Sequence, residues 1–253
     1  MNYAQVVFSP TGGTMRVAQA VTKGWNKEVT TVDLTDAAQD FSQYAFQPDD
    51  LLLIAIPSYG GRVPALAADR IAKIHGNDAR CVLVCVYGNR AYEDTLVEMQ
   101  DIAQSCGLRP IAAIAAVAEH SILHQYATGR PDADDLPVLQ SYSSKILQKF
   151  QSGNHSALSL PGNRPYKKAG GGGMVPHATS ACVNCGLCAK QCPAQAISRE
   201  DVRKTDGKAC ISCMRCVVQC PHSARKINGA MAAAAAMALK KACSVRKECE
   251  LFL

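Results

Sequence analysis

Eight of the thirteen cysteines fall between Cys182 and Cys220. They form two copies of one pattern: Cys182-x₂-Cys185-x₂-Cys188-x₃-Cys192-Pro193, then Cys210-x₂-Cys213-x₂-Cys216-x₃-Cys220-Pro221. The offset is 28 residues throughout, and Gln191 and Ala196 recur as Gln219 and Ala224. Such a repeat predicts a pseudo-two-fold unit. Two-residue gaps let a tight loop wrap three thiolates around one iron–sulfur cube. The fourth cysteine, just before proline, lies too far along the chain to close the same cube and ligates the other one. The pattern therefore predicts two [4Fe-4S] clusters. Cys182, Cys185, Cys188 and Cys220 hold one, and Cys210, Cys213, Cys216 and Cys192 hold the other. Zinc also uses Cys-x₂-Cys pairs, but three cysteines at this spacing plus Cys-Pro, twice over, fit it poorly.

A second constellation lies at the other end of the chain. The run Tyr3–Phe8 reads as a strand and leads into Ser9-Pro-Thr-Gly-Gly-Thr14, after which a helix begins. The hydroxyls of Ser9, Thr11 and Thr14, the backbone N–H groups of the Gly12-Gly13 turn and the positive end of the helix can surround a phosphate. No lysine follows the glycines, which disfavours nucleoside triphosphates, and no Gly-x-Gly-x-x-Gly is present.

These loops need a scaffold, and the first 150 residues supply a pattern for one. Apolar runs at Glu28–Leu34, Asp50–Ile56 and Arg80–Tyr87 read as strands, the last two covered on both faces. Thr14–Lys27, Pro64–His75, Ala91–Cys106 and Asp134–Gln151 read as helices. Arg109–Ala118 is a fifth apolar run whose alanines also suit a helix. Alternating β and α elements predict a parallel sheet with helices on both faces. Two further loops then stand at carboxyl ends of strands, where ligands bind in open α/β sheets. One is Pro57-Ser58-Tyr59-Gly60-Gly61-Arg62-Val63-Pro64, the other Tyr87-Gly88-Asn89-Arg90-Ala91-Tyr92-Glu93-Asp94.

Charge divides the chain. Residues 1–150 carry 12 Lys and Arg against 16 Asp and Glu, and residues 151–253 carry 15 against 5. A basic half suits nucleic acid, but each oxidised cluster with its thiolates brings a charge of about −2, and neutralising the clusters explains the bias. No nucleic acid is expected. No apolar stretch reaches a membrane span. The amino terminus lacks a charged segment followed by an apolar one, so no signal peptide is read and a cytoplasmic protein is expected. Residues 152–176, with Pro161, Pro165, Pro176 and the run Gly170–Gly173, read as a linker. The expected order is an α/β domain over 1–151, the linker over 152–176, the cysteine-rich unit over 177–229, and over 230–253 a helix and tail that pack back on the protein.

The cysteine-rich unit resembles the bacterial two-cluster ferredoxin domain, a small α+β fold. The hydroxyl-lined phosphate loop without lysine resembles that of flavodoxins. That resemblance implies a doubly wound five-stranded parallel sheet of order 2-1-3-4-5, and FMN as cofactor. It also implies that the two later loops embrace the flavin ring. Tyr59 and Tyr92 are then candidates to flank the ring. Gly60 or Gly61 would allow a peptide to turn toward flavin N5, and Arg62 or Arg90 would stand near the N1–C2 edge. The arginines depart from the acidic surroundings usual in small flavodoxins. The whole chain resembles the fused flavodoxin–ferredoxin proteins of anaerobes (the EFR1-type family), on Tyr-Gly-Asn-Arg-Ala-Tyr-Glu-Asp and the closing Arg246-Lys247-Glu248…Glu250-Leu251-Phe252-Leu253. The resemblance implies an electron carrier that joins the two-electron chemistry of FMN to the one-electron chemistry of the clusters, with redox proteins as partners. A reductase acting on a small molecule at the flavin, fed by the clusters, is the alternative.

Other residues read as structural. Cys81 and Cys85 share a strand face and, like Cys106, suit a buried core. Cys243 and Cys249 lack companions for a metal. His120 and His124 could approach the flavin, although loop histidines are more often structural or solvated. Lys240-Lys241 and Arg246-Lys247 read as a solvated face.

The crossed ligand assignment is testable. Cys220→Ser should leave the same EPR signal as Cys185→Ser, and Cys192→Ser the same as Cys213→Ser. If Cys220→Ser instead matches Cys213→Ser, each motif closes its own cluster.

Overall fold

The computed structural model describes residues 1–153, 156–170 and 173–253. Strands β1 (Tyr3–Val7), β2 (Thr30–Asp33), β3 (Leu51–Pro57), β4 (Arg80–Tyr87) and β5 (Arg109–Val117) alternate with helices α1 (Gly13–Lys23), α2 (Ala65–Ile71), α3 (Thr95–Ser105) and α4 (Asp135–Gln151). The five strands are parallel in the order β2-β1-β3-β4-β5, a doubly wound α/β sheet of flavodoxin topology. Alternation along each strand divides the core. In β4, Cys81, Leu83, Cys85 and Tyr87 face one layer, which holds Ala67 and Ile71 of α2 and Leu96 and Met99 of α3. Val82, Val84 and Val86 face the other, with Val17 and Val21 of α1 and Leu139 and Ile146 of α4. Cys81 and Cys85 are thus apolar core residues. The alanine-rich run after Arg109 is a strand because it lies beside β4 in register, where its small side chains accept helices on both faces.

The cysteine-rich unit is built on a two-stranded ribbon, β6 (His177–Ala178) against β7 (Arg225–Lys226), with single-turn helices α5 (Leu187–Lys190) and α6 (Arg215–Val218). Left-handed backbone recurs at the 28-residue offset: Asn184 and Ser212, Gly186 and Met214, Gln195 and Ser223. The repeat in the sequence is therefore a repeat in backbone conformation.

Helix α7 (Gly229–Cys243) follows, opened by the Asn228 side chain accepting from Met231 N–H at 3.1 Å. The tail then enters the main sheet. Strand β8 (Glu250–Phe252) pairs antiparallel with β5, so the sheet has six strands rather than the five expected, the last reversed in direction. The reason is physical: without β8, the apolar strand β5 would present an unpaired edge. The residues before β8 are not the solvated face read from sequence. Arg246 bonds Asp132 at 2.7 Å and Asp135 at 3.3 Å, and Lys247 donates to the Arg90 carbonyl. Lys240 and Lys241 are exposed as expected.

The connecting segment differs from a free tether. Asn163 N–H and Lys167 N–H both donate to Asp94 (2.8 and 2.7 Å), and Arg164 grips Asp101 at 2.6 and 2.8 Å. Carboxylates at the start of α3 and along it strap the segment down. Gly171 and Gly172, in the glycine run, lie outside the described residues. Among the described residues no helix is long and apolar enough to cross a membrane.

The tail also rests on a buried ion pair. Arg130 donates twice to Asp135, at 2.9 and 2.5 Å, and again to the Lys247 carbonyl at 2.6 Å. Asp135→Ala leaves Arg130 buried without its carboxylate. We expect a loss of about 3–5 kcal/mol, read as a lower denaturant midpoint. A change under about 1 kcal/mol would show that the pair carries little.

Candidate functional site

A cavity of about 450 Å³ opens at the carboxyl ends of the parallel strands, the place topology assigns to ligands in such sheets. Thr11, Gly13 and Thr14 line one end. Gly12 adopts φ +92°, a left-handed conformation that suits glycine, and α1 starts immediately after it. Ser9 Oγ accepts from Met15 N–H at 2.9 Å. Ser9 and Gly12 therefore shape the loop, while Thr11, Gly13 and Thr14 face the space. No acidic residue occupies the first turn of α1, so nothing there opposes an anion at the helix N-terminus.

The middle of the cavity is bounded by Pro57–Gly60 and Arg62. Tyr59 and Arg62 exchange backbone hydrogen bonds (2.9 and 3.2 Å) across Gly60 and Gly61, whose φ values are +62° and +86°. This tight turn needs φ > 0 at both central residues. A Cβ on Gly60 would lie 2.3 Å from the Gly170 carbonyl oxygen, and one on Gly61 would lie 1.8 Å from Glu93 Oε2. The turn is thus held from outside by the linker and Glu93. Burial pushes the Tyr59 phenol well above its usual pKa, and the nearby Cys213 thiol adds to this. Ser58 Oγ shares a 2.7 Å hydrogen bond with Thr95 Oγ1.

Arg62 lines the cavity, yet its guanidinium is engaged. It makes two 2.7 Å bonds to Glu98 and lies 4.8 Å over the Tyr166 ring. Arg90 is likewise paired, with both oxygens of Glu93 at 3.0 and 2.9 Å. Each arginine reaches the site with its charge largely compensated.

The loop after β4 divides in two. Tyr87, Gly88 and Arg90 line the cavity. The other four residues expected there face away and hold other segments. Asn89 is buried and bonds the Cys243 and Val245 carbonyls at 3.1 and 2.9 Å. Tyr92 packs edge-on against Tyr87 at 5.2 Å and donates to Glu250 at 3.1 Å. Glu93 pairs with Arg90 and Lys167, and Asp94 anchors the linker. Their polar atoms meet chain segments 69 to 158 residues distant in sequence, which no local motif announces.

Further walls come from Ala118–Leu123 after β5, of which the sequence singled out only His120, and, unforeseen in the sequence, from Ala169, Gly170 and Met174 of the linker, Ala235 and Leu239 of α7, and Ile211 and Ser212 beside Cys210. His120 is the one imidazole among these. Its Nδ1 accepts from Ile122 and Leu123 N–H at 3.2 Å each, so the neutral ring carries its proton on Nε2. Burial, followed by repulsion from His124, lowers its pKa below the ordinary value. The ring rests on Gly88, where a Cβ would meet it at 2.7 Å. His124 pairs with Glu119 at 2.7 Å and is exposed. Of the two histidines after β5 that the sequence put within reach of this site, His120 lines the cavity and His124 does not.

A smaller cavity lies among Cys192, Cys210, Cys213 and Cys216. Burial raises the thiols of Cys210, Cys213 (to about 11) and Cys216 (to about 12), and the Cys192 thiol acts electrostatically on all three. Cys192 thus shares this cavity with three cysteines of the second motif, and packs with Cys182 and Cys188 of its own against Ile197 and Val202. Backbone N–H groups serve the Cys-Pro cysteines symmetrically: Ala196 donates to Cys192 Sγ and Ala224 to Cys220 Sγ, both at 3.3 Å. Burial acts to raise the Cys220 thiol, but the N–H groups of Ala224, His222 and Arg225 outweigh it and the pKa falls below the ordinary value. Such donors favour thiolate. Arg225 is 3% exposed and directs its guanidinium to the Val202 carbonyl at 2.6 Å and to Cys188 Sγ at 3.6 Å. Among the described residues no three Cys, His, Asp or Glu donors converge on a point that suits one metal ion.

The two cavities adjoin. Cys210 lines both, and Ile211 packs against the core of the α/β unit. The Ser212 hydroxyl, also at the larger cavity, is buried without a hydrogen-bond partner.

Comparison with known structures finds similar folds. The flavodoxin of Streptococcus pneumoniae TIGR4 is 19% identical, over 58% of this chain and 99% of that one, with a TM-score of 0.41. Flavodoxin 1 of Bacillus cereus is 12% identical, over 58% and 98%, with a TM-score of 0.40. A short-chain flavodoxin associated with a PDU bacterial microcompartment is 17% identical, over 59% and 99%, with a TM-score of 0.42. A search of curated proteins finds no match. Residues 181–225 match the family model described as the 4Fe-4S dicluster domain. The chain thus carries a 4Fe-4S dicluster domain behind an α/β unit of flavodoxin topology.

Proposed function

We propose that the larger cavity binds FMN and that the chain is an electron-transfer protein linking this flavin to two [4Fe-4S] clusters. The observation that carries the reading is the position of Cys210–Ser212, which line the same cavity as the phosphate loop and the loops after β3 and β4. The donor set fits both groups. Thr11, Gly13 and Thr14 at a helix N-terminus suit a phosphate, the Ser212 hydroxyl lacks a partner, and Tyr87, Gly88 and His120 offer a flat wall. Cys192 beside Cys210, Cys213 and Cys216 suits a cube with a ligand from each motif. Cys182, Cys185, Cys188 and Cys220 would hold the second cube. FMN exchanges electrons in pairs or singly and each cubane exchanges one, so together they join two-electron to one-electron chemistry.

This chain's own residues would hold the parts close and keep water out. Ile211 brings the nearer cluster's loop to the flavin cavity, and Met174, Ala235 and Leu239 border it. A flavin edge bordered by protein in this way favours a carrier over a reductase with an open substrate site. Redox proteins are the partners we propose. Eight thiols that must stay reduced to hold the proposed clusters suit a reducing cytoplasm.

Anaerobic purification followed by a spectroelectrochemical titration tests the reading. We expect about one FMN and about eight iron atoms per chain, with flash-reduced flavin passing an electron to a cluster within the same molecule. Flavin reoxidation that depends on protein concentration would refute the internal relay. Thr11→Asp places a carboxylate where the phosphate would sit, and FMN affinity should fall by at least about tenfold, or about 1.4 kcal/mol. Unchanged affinity would move the phosphate elsewhere.

A further inference from the structure

The pseudo-two-fold unit uses one of its two equivalent faces inside the molecule and leaves the other exposed. Ile211, Ser212, Cys213 and Met214 of the second motif are covered by the α/β unit or its linker, and the first three are near or in the flavin-side cavity walls. Pro193 is buried, and its carbonyl accepts from Arg70 Nη2 of α2 at 2.7 Å. At the 28-residue offset stand Val183, Asn184, Cys185, Gly186 and Pro221. Val183 is 58% exposed, whereas Ile211 packs on a core; Asn184, Cys185 and Pro221 are exposed too. The same backbone turn, with its left-handed residues, therefore presents a branched apolar side chain and a proline to solvent.

We propose that this exposed face is the outlet of the relay, a docking surface for a separate one-electron carrier protein whose cofactor edge is rimmed by carboxylates. The inference rests on the two-cluster reading above. Equivalence to the internal interface supports it: the covered face brings one cluster's loop to a redox site, and the exposed face presents the other cluster's loop in the same way. Charge selects the partner. The exposed Arg203 lies on the face, its guanidinium donating to the Cys182 carbonyl at 3.1 Å, and places a positive charge beside the outward cluster loop. A second copy of this chain is a poor occupant, because its matching surface around Arg70 is already filled by its own Pro193. In the transfer, one electron leaves the cluster of Cys182, Cys185, Cys188 and Cys220, which is oxidised, and the partner's cofactor is reduced by one electron. No bond changes and no proton moves.

The test uses the full-length holoprotein, reduced and mixed in stopped flow with an oxidised acidic two-cluster ferredoxin as probe. The second-order rate should fall as salt rises. Val183→Glu should lower it about tenfold at low salt, and Arg203→Glu should lower it and flatten the salt dependence. Met237→Glu, 79% exposed on α7, should leave the rate unchanged. Iron content and EPR of each sample, measured first, separate a missing cluster, which counts against the two-cluster reading, from a blocked face. Equal rates for the wild-type chain and Val183→Glu, or no detectable exchange by the wild-type chain, would overturn the proposal.

Discussion

The arrangement of this molecule depends on one buried guanidinium. Arg70 of α2 is 8% exposed and has no carboxylate partner within hydrogen-bond range among the described residues. Its two terminal nitrogens donate to two carbonyls, Leu34 in the α/β unit and Pro193 in the cysteine-rich unit, and its plane lies 5.5 Å from the Phe41 ring. Burial lowers its pKa, while Asp33 and Asp36 act the other way. A hydrogen bond from a charged donor contributes about 1.5–3 kcal/mol, and arginine satisfies two acceptors at once through its rigid fork. Pro193 directly follows Cys192, so this bond ties the end of the first motif, where Cys192 shares a cavity with the cysteines of the second, to the α/β unit. The shared wall at Cys210 follows from it.

Two straps secure what Arg70 joins. One is the segment after α4, tied to Asp94 and Asp101 of the α3 region. The other is the tail after α7, tied to Asn89, Asp132 and Asp135 and closed by β8 on the sheet edge. Both rely on acidic or amide groups near the carboxyl ends of the strands, and both draw basic residues from the second half of the chain. The opposite charge of the two halves therefore has a use beyond the clusters: Arg164, Lys167 and Arg246 all meet carboxylates of the first 150 residues.

The repeat is not symmetric in its interior. Ile197, four residues beyond Pro193, is a core residue of the first half, and its equivalent is Arg225, equally buried. An arginine here places a positive charge beside Cys188 and near Cys210, Cys216 and Cys220, where the proposed clusters would bring negative charge. A buried cation without a carboxylate is costly unless such charge is present. The two halves thus differ in two respects, the docked face and the internal cation. Both differences bear on how each cluster would be tuned, since hydrogen bonds to sulfur and solvent exposure set cluster potentials.

The local chemistry was legible in the sequence. Cysteine spacing, the hydroxyl-rich turn before α1 and the alternation of apolar runs are short-range signals, because backbone period and ligand reach act over a few residues. They led to a parallel sheet, to the dicluster unit and to Thr11, Gly13 and Thr14, which line the cavity, while the strand order came with the resemblance to flavodoxins. Tertiary structure alone decided the rest. Asn89, Tyr92, Glu93 and Asp94 stand in a loop at the right end of the sheet, yet turn outward because the linker and tail return to meet them. Leu239 and Ile211 belong to the cavity because distant segments fold over it. Val183 and Ile211 are equivalent in sequence, and only the docking of one half makes one an interface and the other a surface. Such distinctions depend on contacts between residues far apart in the chain, and no local pattern encodes which of two equivalent faces is covered.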